Sequence, residues 1–443
     1  VKKLPSNKYI WEISYPIILG MFAQNVINVT DTAFLGRVGE VELGASAIGG
    51  LFYVVIFMLG LGFGSGAQIL MARRNGEKNY AEIGSIMDHS LYFLIGLAFF
   101  IIVVIQFIAP SILKHLISSP DVYAKTIEFL HYRIIGLAFA FIIVIFRSFY
   151  VAITNTLWIT LTAVIMASVN VVLAYVMIFG KFGFPQMGIA GAGLASTIAE
   201  AVAAIVFIVI TVRHKELKKF CLFKFPKPKL KIIRMTLNIS VFVMMQYFIS
   251  LTAWFIFFLI VEKLGERSLA ISNIIRAAYM MFMIPAIGFG ITANTLVSNA
   301  IGAGKIDLVI PIIKKITRIS VLVTGCIILI SIPLARPIIG VFTSNPDLVN
   351  NTLASYYVLM GVMIFFSLTG AIFNGVSGTA NTQMALLLEA ITLIFYLATA
   401  YVLAVHLRLP VAMVWLSELA YFIVLGILSV LYLKYGNWRD KKI

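Results

Sequence analysis

Charge is scarce in this sequence, and the scarcity is its strongest constraint. Asp, Glu, Lys and Arg make up 12% of 443 residues, against about 25% in a soluble globular chain. The two cysteines, Cys221 and Cys326, fall in a basic stretch and a hydrophobic run, which gives no disulfide framework. The five histidines (His89, His115, His131, His214 and His406) form no group at metal-ligand spacing. A membrane-embedded metalloenzyme is therefore disfavoured, and the chain is expected to be no enzyme and to need no cofactor. Alternating segments of about ten residues, the mark of a transmembrane barrel, are missing. No pore-loop signature interrupts the hydrophobic runs, so a channel lacks support as well.

What is present is hydrophobic length. Apolar residues are 61% of the chain, and runs of 18 or more recur, as membrane-crossing helices require. Twelve spans are predicted, at 10–35, 43–71, 84–109, 124–151, 157–180, 187–212, 236–261, 267–297, 312–335, 349–378, 383–405 and 411–433. The first is too long and too polar within for a cleaved signal peptide. A net charge of +16 invites a nucleic-acid reading, but the positions of the charges oppose it. With the amino terminus inside, 23 of the 34 Lys and Arg fall on inner segments and 8 on outer ones. Arg133, Arg147 and Arg276 lie within spans. That bias predicts a multi-pass plasma (inner) membrane protein with both termini cytoplasmic and no nucleic-acid partner, its basic surface meeting membrane lipids. The expected organisation is a first lobe at 1–212, a basic cytoplasmic linker at 213–235, a second lobe at 236–433 and a cytoplasmic tail at 434–443.

The halves repeat at an offset of 226 residues. GFG at 62–64 recurs at 288–290, Gly39-Glu40 as Gly265-Glu266, Pro120-Asp121 as Pro346-Asp347, and Asn155-Thr156 as Asn381-Thr382. Such hidden duplication is how many carriers build two halves around a central site. An even number of spans per half keeps both copies in one orientation. The expected fold is thus an all-α polytopic membrane protein, twelve transmembrane helices in two six-helix lobes related by pseudo-twofold symmetry. Ser119-Pro120-Asp121 and Asn345-Pro346-Asp347 read as helix starts, with an N-cap, then Pro, then an acid. The repeated glycines permit close helix packing.

The chemistry lies where the halves disagree. Twelve of the 18 acids, Asp440 among them, fall in loops or at helix ends. Asp31, Asp88, Glu128, Glu200, Glu389 and Glu418 lie within or near spans, and none has an acid at the equivalent place in the other half. Asp31 stands opposite Phe257. A charged Asp at a helix centre costs about 2.5–3.5 kcal/mol on insertion, so it must face protein or water. With Gln24 and Asn28 it forms one polar stripe along span 1, placed to load and release a proton or to bridge to Arg133. Glu200, with Ser196 and Thr197 a turn before it, and the amide Asn170 are further candidates for ion coupling. Arg276 could serve an anionic substrate group or hold the second half together. Asp88 and Glu128 read as structural, and Glu389 and Glu418 have no nameable partner.

Pro16, Gln24 and NVTDTAFLGRVG at 28–39 resemble the first helix of the multidrug and toxic compound extrusion (MATE) family. The resemblance continues through GIAGAGLAST at 188–197, SLAISNIIRAAYMMFMIPAIGFGITANTLVSNAIGAG at 268–304 and NGVSGTANTQ at 374–383. It implies an efflux antiporter that exports small amphipathic or cationic organic compounds in exchange for H⁺, or for Na⁺, by alternating access, most simply as a monomer. A lipid-linked precursor flippase of the same superfamily is the alternative, and would want a strongly cationic cavity. Carried over by resemblance, Asp31 is the coupling acid, Pro16 the bending proline and Asn170 the first-lobe pocket amide. Three departures matter. The second acid usual four residues after that amide is Ala174, the acid typical of the Na⁺-linked branch is Gln246, and a later one is Asn381. The resemblance thus places coupling in the first lobe, as in the damage-inducible and archaeal branches. Gln24, Asn28, Thr197, Gln246, Arg276 and Asn381 remain as cavity residues.

Overall fold

The computed structural model describes residues 4–343 and 345–439; Asp440 and the last residues of the tail lie outside the described residues. Sixteen α-helices account for most of the described residues, and none of those is in a strand. In chain order they are α1 (Asn7–Val38), α2 (Glu40–Gly76), α3 (Tyr80–Leu116), α4 (Pro120–Arg133), α5 (Gly136–Ala152), α6 (Leu157–Phe179) and α7 (Gly188–Arg213). There follow α8 (Leu230–Glu262), α9 (Glu266–Phe282), α10 (Ile284–Gly302), α11 (Val309–Ser331), α12 (Ala335–Gly340), α13 (Pro346–Gly378), α14 (Thr382–Tyr401), α15 (Val411–Val414) and α16 (Leu416–Tyr435).

Each of the twelve predicted spans coincides with one helix or with helices divided by a short break. Among the described residues, nine helices are long and apolar enough to cross a membrane, and α4 with α5, bent by 50°, makes a tenth. The other two predicted spans are α1, which carries the polar stripe, and α11, which carries Lys314, Lys315 and Arg318. Both proline starts cap as expected. Ser119 accepts the Val122 N–H at 3.4 Å, and Asn345 accepts those of Asp347 and Leu348 at 3.0 and 3.3 Å.

The chain packs as two compact units, Leu19–Met244 in one and Val1–Ile18 with Met245–Ile443 in the other. Both boundaries therefore fall inside a helix, α1 and α8. The reason lies in the repeated glycines. In the first unit a Cβ on Gly62 of α2 would come within 2.7 Å of the Met244 Cα, and one on Gly66 within 2.7 Å of the Ser240 Cα. The early turns of α8 thus lie directly on the α2 backbone, where Ser240 Oγ donates to Phe63 O at 3.0 Å. In the second unit Gly288 of α10 receives Ile18 of α1, and Ser14 and Thr292 share a hydrogen bond of 2.8 Å. Ile18 and Met244, like Ser14 and Ser240, are equivalent at the offset of 226. Each unit is completed by the opening turns of the other half's first helix.

The basic linker is ordered against α3. Buried Asp88 accepts the backbone N–H groups of Phe223 and Phe225, both at 3.0 Å, and His89 Nε2 accepts that of Lys229 at 2.9 Å. Asp88 is thereby a structural acid. Glu128 is one too, paired with Lys125 at 2.8 Å.

Candidate functional site

The polar residues of the first unit converge from five helices. α1 contributes Asp31, α2 Tyr53, α4 Arg133, α6 Asn170, and α7 Ser196, Thr197 and Glu200. Spacing on α7 explains its share, because Ser196 and Glu200 are one turn apart on a helix otherwise rich in Ala and Gly. Two separate chains of interaction result.

The first runs through Ser196. Its hydroxyl donates to Asp31 Oδ2 at 3.2 Å and accepts from Asn170 Nδ2 at 3.0 Å. Asn170 is wholly buried, as is Ala174 one turn later. The remaining oxygens, Asp31 Oδ1 and Asn170 Oδ1, are buried and have no hydrogen-bond partner. Such orphaned acceptors are costly unless something occupies them.

The second chain is an ion pair. Arg133 grips Glu200 with both terminal nitrogens, Nη1 to Oε2 and Nη2 to Oε1, each at 2.7 Å. The guanidinium lies 3.7 Å above the Tyr53 ring, and the Tyr53 hydroxyl donates to Glu200 Oε1 at 3.4 Å. Gly136 stands beside this pair, where a Cβ would meet Glu200 Oε2 at 2.5 Å and Arg133 Nη1 at 2.8 Å. The pair also sits where α4 breaks from α5. Thr197 Oγ1 donates to the Tyr132 carbonyl there, at 2.9 Å, and satisfies an acceptor freed by the break.

Arg133 therefore bridges to Glu200 and makes no ion pair with Asp31. Glu200 is in turn neutralised, so it supplies no second free carboxylate in place of the acid missing at Ala174. Subtracting this matched pair leaves Asp31 as the one acid of the cluster without a basic partner. Tyr53 carries no sequence signal that separates it from any other aromatic residue in a span.

The other candidates lie apart from this cluster. Gln24 and Asn28 are exposed on the same helix as Asp31. Pro16 lies inside α1, two residues before the unit boundary. In the second unit Gln246 is half-buried on α8, and Arg276 donates to Asn273 Oδ1 at 3.3 Å with its guanidinium 5.6 Å from the Phe258 ring. Asn381 donates to the Tyr432 hydroxyl at 2.6 Å. No hydrogen bond joins Gln246 to Arg276. Among the described residues no three His, Cys, Asp or Glu lie together as a metal site.

Known proteins show the same architecture. The Vibrio cholerae MATE transporter VcmN matches with a TM-score of 0.88 at 15% identity, covering 98% of both chains. A MOP-superfamily transporter from Pyrococcus furiosus gives 0.87 at 17% identity, over 98% of this chain and 95% of that one. In sequence, a probable multidrug resistance protein NorM from Thermotoga maritima is 25% identical over 99% of this chain and 94% of its own length. A Brucella suis protein of the same description is 24% identical over 66% of this chain, and the match spans only 63% of that relative. The MatE family model matches residues 16–176 and again 242–402, two copies in the register of the internal repeat. This chain, a multi-pass membrane protein and not an enzyme, belongs to the MatE family.

Proposed function

We propose that the protein is a secondary antiporter of the plasma (inner) membrane that exports small amphipathic or cationic organic compounds in exchange for protons. The naming of its relatives as multidrug resistance proteins supports the substrate class. One observation carries the coupling: Arg133 is already matched by Glu200, so Asp31 is the unbalanced charge of the first-unit cluster. A proton or a cationic substrate can each balance it, and only one is needed at a time. Competition for one charge is the simplest physical basis of exchange.

In this account Asp31 takes a proton when the carrier faces outward, and its hydrogen bonding with Ser196 and Asn170 rearranges. Helix α1 then shifts about Pro16, where the missing N–H weakens the helix, and substrate affinity falls. Proton release on the inner side resets the carrier, giving alternating access. Gln24, Asn28 and Thr197 are proposed to meet substrate in the first half, and Gln246, Arg276 and Asn381 in the second. Exchange of one proton for one monovalent cation moves no net charge, so the pH gradient drives it, and each pH unit supplies about 1.4 kcal/mol, a tenfold substrate gradient. A monomer suffices, with both termini cytoplasmic and the basic linker facing anionic lipid.

A sodium-coupled cycle is the second reading, favoured by the two partnerless oxygens on Asp31 and Asn170, which suit a hard cation. A flippase for lipid-linked precursors is disfavoured, because the Arg133 charge is already spent on Glu200. Proteoliposomes loaded with ethidium and given separate gradients decide. An imposed pH gradient alone should drive export, and a Na⁺ gradient alone should not. The reverse result would move the coupling to Na⁺, and drive by neither would overturn the antiporter reading.

A further inference from the structure

The second unit holds two buried carboxyl groups that the Asp31 account does not use. Glu418 on α16 is 3% exposed and Glu389 on α14 is 2% exposed. Glu418 Oε1 accepts the Trp254 Nε1–H at 3.2 Å and the Tyr396 hydroxyl at 3.0 Å, and its Oε2 accepts the Tyr279 hydroxyl at 3.5 Å. Glu389 Oε1 accepts the hydroxyls of Ser250 at 2.8 Å and Tyr421 at 2.6 Å. The Tyr396 and Tyr421 rings meet edge to face, with centroids 5.8 Å apart, and so join the two carboxyl groups through one aromatic contact.

The groups facing them are neutral on every side. α8 presents Ser250 and Trp254, α9 Tyr279, α14 Tyr396 and α16 Tyr421, while α13 adds the apolar Phe366 against Tyr279 and α15 leads into Trp415. No Lys, Arg or His pairs with either carboxyl among the described residues. Arg276, a turn before Tyr279, is spent on Asn273 and the Phe258 face. The contrast with Glu200 is direct, since that acid has a bidentate arginine. A carboxylate met only by neutral donors keeps its charge, and in a low-dielectric interior that charge must be matched or removed. Tyrosine hydroxyls both donate and accept, so this surround can satisfy either the carboxylate or the carboxylic acid without moving a helix.

We propose that Glu418 is a second proton-carrying residue of the exchange, acting in the second unit independently of Asp31 and coupled to Glu389 through Tyr396 and Tyr421. The inference rests on the proton-coupled reading above. Uptake forms one O–H bond on the Glu418 carboxylate with a proton from water, and the hydroxyl bonded to that oxygen turns from donor to acceptor. Release returns the proton to water and reverses the hydroxyl.

The test counts protons released when the purified protein, in weakly buffered detergent with a pH indicator, binds tetraphenylphosphonium. The parent should release more protons per bound cation than Glu418→Gln, and Glu418→Asp should restore the count. Asp31→Asn should lose a proton separately, and the double variant should release none. Should Glu418→Gln fail to fold, Tyr396→Phe serves in its place. It should move the pH midpoint of only one proton fraction and leave the Asp31 fraction where it was. Release from Glu418→Gln equal to the parent's, or a Tyr396→Phe profile unchanged from it, would overturn the inference while leaving Asp31 coupling intact. No release from the parent would overturn both.

Discussion

At one fixed offset, α2 runs unbroken from Glu40 to Gly76, whereas its counterpart at 266–302 is divided into α9 and α10 at Met283. Likewise α3 runs unbroken from Tyr80 to Leu116, whereas its counterpart at 306–342 is divided into α11 and α12. A third difference is reversed. α13 runs unbroken from Pro346 to Gly378, whereas its counterpart at 120–152 is divided into α4 and α5. The first break has an ordinary cause, Pro285, which cannot donate to the helix ladder; its equivalent in α2 is Leu59. The break between α4 and α5 has no proline. It is held instead by side chains, with Arg133 clamped to Glu200 and Thr197 capping the Tyr132 carbonyl. Duplication preserved where most helices begin, while the breaks fall at different places in the two halves. Acids follow the same rule. The first half matches one acid with arginine and leaves Asp31 unmatched, and the second half surrounds two acids with neutral hydroxyls and an indole.

The comparison can be broken most forcefully at the ion pair. Removing one partner, as in Arg133→Met or Glu200→Leu, should cost about 3–5 kcal/mol, because a buried charge is left alone. Replacing both together should cost far less, and thermal unfolding in detergent measures the difference. Glu418→Gln, lacking any cationic partner to strand, should be much milder by the same measure. If the three single variants were equally destabilising, the contrast between matched and unmatched acids would fail.

The shared scaffold gives a finer test. Gly62→Ala would press on the Met244 backbone, whereas Gly288→Ala would press only on the Ile18 side chain. Overpacking costs about 1–3 kcal/mol, and the Gly62 variant should lie at the upper end with the Gly288 variant below it. Equal losses in chemical or thermal denaturation would mean that the two crossing helices are seated alike. Smallest of all, Ser14→Ala should cost about 1 kcal/mol through its lost bond to Thr292. Ser240→Ala should match it through the lost bond to Phe63 O.

Much of this scaffold is legible in sequence, because hydrophobic length and punctuation are local signals. The twelve spans, the helix starts at Ser119 and Asn345, and the role of Gly62 and Gly288 in close packing all follow from residue type and spacing. The partners of the acids do not. Arg133 and Glu200 are 67 residues apart, Tyr53 and Glu200 are 147, and Trp254 and Glu418 are 164. Which faces of distant helices meet is set by packing that no single helix encodes. The α4–α5 break was likewise hidden, since neither Ile134 nor Ile135 discourages a helix and its cause is tertiary. Crossing of α1 and α8 between the units was equally out of reach, although the repeated GFG marks the surface on which each crossing helix lies.

The central claim is that Asp31, once Arg133 and Glu200 are discounted, is the charge for which proton and substrate compete. The most direct test is pH-gradient-driven ethidium export by Asp31→Asn in proteoliposomes, compared with the parent at equal protein density. Near-complete loss of gradient-driven export, with the variant folded and its ethidium binding less dependent on pH than the parent's, is the predicted result. Export at the parental rate under the same gradient would contradict the account.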